Sequence, residues 1–196
     1  LFKKFLYQML RQPLLMFTIG STALFLIFHR FTYRATGKRE RDSVHWTNLA
    51  LLGIFILAAL TIGWKAYLLI QLPIMVLGST LGVWLFYVQH QFEGAYWERH
   101  AEWSFEAAAL EGSSFFKLPR LFQWFTGNIG FHHIHHLCPR IPNYNLEKCH
   151  AENAVFQAVE PLTLLGSLQA LSLRLWHEDK RAMVGFESDI AFVDFR

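Results

Sequence analysis

Six consecutive residues carry the densest chemistry in the chain: Phe131-His132-His133-Ile134-His135-His136. Four of the six are histidine. Each buried imidazole brings two polar nitrogens that need partners, so a packed core has little use for several together. Metal ligation does have a use for them, because neutral imidazole binds Fe, Zn, Cu and Ni. On a helix, His132, His135 and His136 fall at i, i+3 and i+4 and share one face. His133 points about 100° away from His132. The pattern is therefore His-x-x-His-His with His133 as a neighbour. A pH-sensing or surface histidine cluster is the competing explanation, and the weaker one.

The rest of the chain must position these rings, and its composition says in which solvent. The 196 residues are 53% hydrophobic and 16% aromatic, and only 17% are charged, which points to membrane burial rather than an ordinary soluble domain. The two cysteines, Cys138 and Cys149, make no disulfide framework, and Cys138 reads as a bystander thiol. There is no Gly-rich phosphate loop and no Ser-His-Asp order. The basic residues are interleaved with membrane signals, which excludes a nucleic-acid partner. The chain opens at Leu1 without methionine or a secretory pattern, and we expect further sequence upstream.

Residues 1–45 read as an interfacial or re-entrant segment followed by a cytosolic loop. Lys3, Lys4 and Arg11 sit among apolar residues. Pro13 opens an apolar run from Leu14 to Phe28, about 22 Å long if helical and short of the roughly 30 Å of a hydrocarbon core. Basic residues flank it on both sides, which argues against a crossing. Residues 34–45 form a polar, charged loop. A transmembrane hairpin follows over 46–88: one helix from Trp46 to Gly63 and a second from Ala66 to Val88, kinked at Pro73. The hairpin returns His90 to the cytosolic side, where the histidine-rich stretch must also lie because no span follows.

Residues 89–186 are expected to form a cytosolic helical cap carrying the metal site. Within it, 94–118 reads as an amphipathic helix, and His100 is a weaker ligand candidate because glutamates surround it. Gly127 and Gly130 permit a turn beside the site. The leucines from Leu162 to Leu175 are spaced for one or two packed helices. Residues 187–196 read as a loose tail. The expected fold class is all-α, a multi-pass integral membrane protein. His90, His132, His135 and His136 could hold one metal and part of a second.

Three motifs together, at this spacing, carry a family resemblance. They are Tyr87-Val88-Gln89-His90-Gln91-Phe92-Glu93, then Gly127-Asn128-Ile129-Gly130-Phe131-His132-His133-Ile134-His135-His136, then Arg140-Ile141-Pro142-Asn143-Tyr144-Asn145-Leu146. The chain resembles the C-terminal portion of membrane fatty acid desaturases, nearest to the bacterial and plastid omega-6 (delta-12) acyl-lipid type, from residue 1 to 186. Cys149-His150, Pro161-Leu162-Thr163 and Arg174-Leu175-Trp176 extend the match.

The resemblance implies an oxidoreductase with two non-haem Fe ions, a di-iron centre on the cytosolic face. It implies a fatty acyl lipid and dioxygen as substrates, ferredoxin or cytochrome b5 as electron donor, and a cis double bond as product. The third histidine box of the family maps onto His132, His135 and His136, and a further ligand onto His90. Glu93 and Asn128 are candidates for orienting the ligand rings. The family's first two histidine boxes have no counterpart here, since His29 and His45 alone precede His90. We therefore expect these residues by themselves not to assemble a di-iron centre. The alternatives are a membrane hydroxylase or ketolase of the same superfamily, or a non-catalytic membrane metal-binding protein.

Overall fold

The computed structural model describes residues 2–33, 37–99 and 101–186. The expectations for the tail 187–196, for His100 and for residues 34–36 fall outside them. The chain divides into two compact units, Leu1–Trp84 and Leu85–Arg196, and is mostly helical.

The first unit opens with α1 (Phe2–Leu10). A continuous helical run follows: α2 (Pro13–Leu15), a π turn over Met16–Gly20, α3 (Ser21–Leu26) and a 3-10 turn over Phe28–Arg30. Pro13 suits the first turn, where its missing N–H would have no partner. Hydroxyls then compete for the helix carbonyls. Thr18 Oγ1 donates to Leu14 O at 2.6 Å and Ser21 Oγ to Phe17 O at 2.7 Å, which favours the wider π turn between them. The run reaches Arg30 rather than Phe28, and its 18 residues, about 27 Å, come close to a full span. Length no longer argues against a crossing; the basic flanks still do.

Next come α4 (Lys38–Thr61) and α5 (Trp64–His90), 24 and 27 residues long. All three runs are long and apolar enough to cross a membrane. The charged stretch read as a loop is helical from Lys38 on. The Gly37 N–H donates to Glu40 Oε2 at 3.4 Å and Lys38 pairs with Asp42 at 2.6 Å, so local contacts start the helix well before its apolar part. Gly63, at φ 87°, ends α4 by donating to Ala58 O at 3.1 Å. Phe55 meets Tyr67 edge-on at 5.7 Å across the hairpin. The helix runs unbroken through Pro73. The first run packs on α5 through Thr80 Oγ1, which donates to Phe17 O at 2.5 Å, the Thr22–Ser79 hydroxyl pair at 3.2 Å and Phe17 against Trp84.

The second unit departs from the expected helical cap. Among the described residues of 94–118 the one helix is α6 (Phe105–Leu110), capped by Ser104 Oγ, which accepts from the Ala107 N–H at 3.3 Å. A strand, β1 (Phe115–Lys117), follows where helix was expected. Then come α7 (Arg120–Phe125), α8 (His132–Leu137), a 3-10 turn Asn143–Asn145, α9 (Leu146–Glu152) and α10 (Ala154–Gln157). The leucine-rich tail is likewise broken up, into β2 (Pro161–Thr163), α11 (Leu164–Gln169), a 3-10 turn Ala170–Ser172 and an antiparallel hairpin of β3 (Leu175–His177) with β4 (Ala182–Val184). Thr163 Oγ1 starts α11 by accepting from the Gly166 N–H at 3.0 Å, and the helix is six residues long.

β1 pairs in parallel with β2, Phe115 opposite Pro161, and Phe115 also bridges to Phe131. That bridge anchors the core: Phe115, Phe131, Ile134, Leu146 and Phe156, with Phe115 and Phe131 stacked at 5.1 Å. Gly130 makes the bridge possible. Its carbonyl accepts from the Phe116 N–H at 2.8 Å, and a Cβ at this position would run into the Phe116 carbonyl oxygen and the Gln123 side-chain amide.

Gly130→Ala is therefore expected to lower the thermal midpoint sharply and reduce the folded yield, because a backbone carbonyl must move. Gly53→Ala and Gly78→Ala, where a Cβ meets nothing within 4 Å, should leave the midpoint unchanged or raise it. Thermal unfolding of the three purified variants checks this.

Candidate metal centre

His90 is the last residue of α5. Its Nδ1 lies 2.8 Å from the carbonyl oxygen of Phe86, one turn back. A carbonyl can only accept, so Nδ1 carries the hydrogen and the neutral ring presents a bare Nε2 lone pair. The neighbouring residues fix where that lone pair points. Gln89, almost fully buried, donates from Nε2 to Ile129 O at 2.8 Å, and its own carbonyl accepts from the Ser114 N–H at 3.0 Å. Ser114 Oγ donates to Val88 O at 3.3 Å. The end of α5 is thereby tied to the segment leading into the histidines.

That segment turns sharply. Gly127 and Asn128 both adopt positive φ, 63° and 59°, and Asn128 donates from its side chain to Asn143 O at 3.0 Å. The chain then enters α8, only six residues long. His132 and His136 lie one turn apart and present Nε2 to the same point as His90. The three nitrogens form a triangle: His90–His136 3.1 Å, His90–His132 3.3 Å, His132–His136 3.0 Å. These three are the group among the described residues whose ligand atoms converge for a metal.

Hydrogen bonding cannot satisfy this triangle. An imidazole nitrogen carries either a hydrogen or a lone pair, never both, so at least one edge must set two hydrogens or two lone pairs face to face. A cation at the centre satisfies all three edges at once. Imidazole nitrogens about 2.0–2.1 Å from an ion, at angles between tetrahedral and octahedral, lie roughly 2.9–3.4 Å apart. The observed edges fall inside that range, so the residues fit a metal.

Electrostatics agree with the geometry. Burial pushes His132 down to about 3, helped by His90, His136, His135 and His133. Partial burial, then His90 and His135, lowers His136 as well. His132 is therefore neutral at physiological pH, the form that ligates.

The other histidines of the stretch lie elsewhere. His135 stacks on His132, ring centroids 5.7 Å apart, outside the triangle. His133 is fully buried on the opposite face, among Phe115, Phe156 and His150, with both ring nitrogens lacking a hydrogen-bond partner. Burial and then His150 lower it to about 4, so it packs as a neutral ring. Asn128 commits its side chain to the turn, and Glu93 lines a separate cleft with Gly94, Leu110 and Glu111. Sequence reasoning assigned no role to Gln89 or Ser114. The available signal was a glutamine in the last turn of an apolar helix, where a polar amide needs a partner.

The family model described as "Fatty acid desaturase" matches residues 1–161. A protein of Bacillus subtilis (strain 168) named "Fatty acid desaturase" is 46% identical over 185 residues, which is 94% of this chain and 53% of that protein. The chain spans about half the length of the relative it matches. No solved structure matches it.

The triangle predicts one tightly held divalent ion. Reconstitution with Fe(II) or Co(II) and elemental analysis should give a marked loss of bound metal in His90→Ala, His132→Ala and His136→Ala. His133→Ala should keep its metal while losing thermal stability, since it removes a core ring. Equal metal loss in His133→Ala would place that ring at the ion.

Proposed function

The chain belongs to the fatty acid desaturase family, and from that premise we propose that it forms part of a multi-pass membrane enzyme that introduces a cis double bond into a lipid-borne acyl chain. We assign it to the delta-12/omega-6 type and to the C-terminal portion of that enzyme, on the Gln-His-x-Phe-Glu and Ile-Pro-Asn-Tyr motifs around the histidines. The observation that carries the reading is the nitrogen triangle at the end of a membrane-length helix. A desaturase must oxidise a hydrocarbon, and here a metal-binding donor set lies where an apolar helix gives way to polar chain.

His90, His132 and His136 would hold one iron ion, and His135 would face a second whose remaining ligands lie outside this set. Iron bound there would supply the redox chemistry that an unactivated methylene requires, since such a bond offers no acid–base handle. The chain's own residues prepare the site. The Phe86 carbonyl fixes the His90 tautomer, burial keeps His132 unprotonated, and the Gln89–Ile129 and Ser114–Val88 bonds hold the two ligand segments in register. In the overall balance the acyl chain loses two hydrogen atoms from adjacent methylenes. Together with two protons and two electrons from ferredoxin or cytochrome b5, these reduce dioxygen to two waters.

Topology follows from charge. With α4 and α5 read as two consecutive crossings, the chain enters α4 and leaves α5 on the same side of the bilayer. Arg30, Lys38, Arg39 and Arg41 collect at that side, whereas Lys65 alone marks the other turn. The positive-inside tendency makes the histidine side cytosolic. The run Pro13–Arg30, with basic residues at both ends, is read as interfacial or re-entrant.

Expression of the whole protein in a host that lacks polyunsaturated chains is expected to yield acyl chains two hydrogens lighter, with the new double bond at the delta-12 position by mass spectrometry. His132→Ala should abolish the product at normal protein levels. A hydroxylated or keto product would replace the desaturase reading with an oxygen-inserting one. Alkaline carbonate should leave the protein in the membrane pellet, and its release would refute the spanning helices.

A further inference from the structure

We propose that Arg30, Arg41 and His45 form a headgroup site for an anionic phospholipid where α4 meets the bilayer surface. The inference rests on the reading that α4 spans the membrane, and it is independent of the metal centre.

Asn48 lies between Trp46 and Leu49, where the uncharged stretch of α4 begins. Its side chain holds Arg30 at both ends. Nδ2 donates to Arg30 O at 2.8 Å, and Oδ1 accepts from Arg30 Nη1 at 3.3 Å. The guanidinium is thus fixed at the depth where headgroups meet acyl chains. One of its five N–H groups goes to Asn48 and Nε is buried among protein atoms, so the donors left open are those of the terminal Nη nitrogens.

Arg41, His45 and Asn48 fall at i, i+4 and i+7 on α4 and form one stripe along it. The carboxylates of this turn are engaged elsewhere. Asp42 pairs with Lys38, and Glu40 caps the Gly37 N–H. Among the described residues, no carboxylate pairs with Arg30, Arg39 or Arg41.

A guanidinium held at this depth with donors unmatched calls for an anion. The phosphodiester of a membrane lipid sits at that level and accepts two parallel N–H bonds from arginine. A lipid of net negative charge is selected because a zwitterionic headgroup carries its own cation, which the two arginines repel. Arg39 supplies an internal control. It lies about 200° round the helix from Arg41, off the stripe.

The test uses the whole protein in detergent micelles and native mass spectrometry, with phosphatidylglycerol and phosphatidylcholine of identical acyl chains. Phosphatidylglycerol is expected to be retained in preference. Arg41→Gln and Arg30→Gln should each weaken its retention roughly five-fold, and Arg39→Gln should change it less than about two-fold. Circular dichroism of each variant reads the fold. Arg41, exposed and without an acidic partner, decides the matter even where Arg30→Gln disturbs the contact with Asn48. Equal retention of the two lipids overturns the site, and so does an Arg39→Gln loss matching that of Arg41→Gln, which leaves only a diffuse field. Displacement of the lipid by millimolar inorganic phosphate overturns it as well, in favour of a free anion. A protein released by alkaline carbonate fails the membrane reading and this site together. A membrane-retained protein that does not discriminate fails the site alone.

Discussion

Three imidazole nitrogens meet within 3.3 Å of one another, and no assignment of their hydrogens satisfies all three contacts. Such a cluster is unfavourable unless a cation fills it, and the protein builds it from segments 42 and 46 residues apart. Much of the second unit can be understood as the support this requires. The residue before His90 reaches across to Ile129. Ser114 clasps the backbone of Val88 and Gln89. Gly130 lets β1 approach close enough to pair with the residue that opens α8. Each of these contacts is a hydrogen bond or a close approach of backbone. Together they place rings to a precision that packing of flexible side chains alone would not achieve.

On the reading that α4 and α5 span a membrane, the first unit answers to a different solvent. Leu57, Leu60, Leu69 and Leu77 are well exposed on α4 and α5, an arrangement that water would penalise and hydrocarbon would not. Apolar side chains gain little by leaving lipid for one another, so the contacts that hold these helices together are of another kind. Thr80 meets the Phe17 carbonyl, Thr22 meets Ser79, and Asn48 grips Arg30 at both ends. Small hydroxyls and amides are the natural adhesive between helices in such a medium.

The pair of long apolar helices was legible in the sequence because hydropathy over some twenty residues is a local signal. Its limits were misjudged at one end, since the charged turn Lys38–His45 joins α4 through a cap and an i,i+4 ion pair rather than through hydropathy. The pairing of His132 with His136 was legible for the same local reason, one helical turn. His90 was legible as the end of the second apolar helix, and in the structure its Nε2 meets those of His132 and His136. What the sequence did not disclose lies in non-local pairing. The β1–β2 ladder joins residues some 46 positions apart, and periodicity inside 94–118 carries no trace of Pro161. The i+3 rule also put His135 on the ligand face, whereas in the structure its ring stacks on His132 and the triangle closes without it. In a six-residue helix, a few degrees of tilt decide which of two adjacent rings converges.

That brevity explains the doubled histidines. A helix of six residues has no stability of its own, so its geometry must come from docking. Phe131 and Ile134 supply the apolar anchor, and Ile134 is fully buried. His133 supplies the rest of the buried face, a neutral ring among Phe115, Phe156 and His150 whose nitrogens find no partner. Orphaned nitrogens cost stability, and a phenyl ring would avoid that cost. Their burial depresses His133, and its proximity helps to lower His132 on the other face. One short helix therefore presents histidine to both sides. One pair of rings points at the place where the three nitrogens converge, and the buried ring fixes the helix against which that pair is aimed. A single run of sequence thus carries both the ligands and the docking surface that sets their direction.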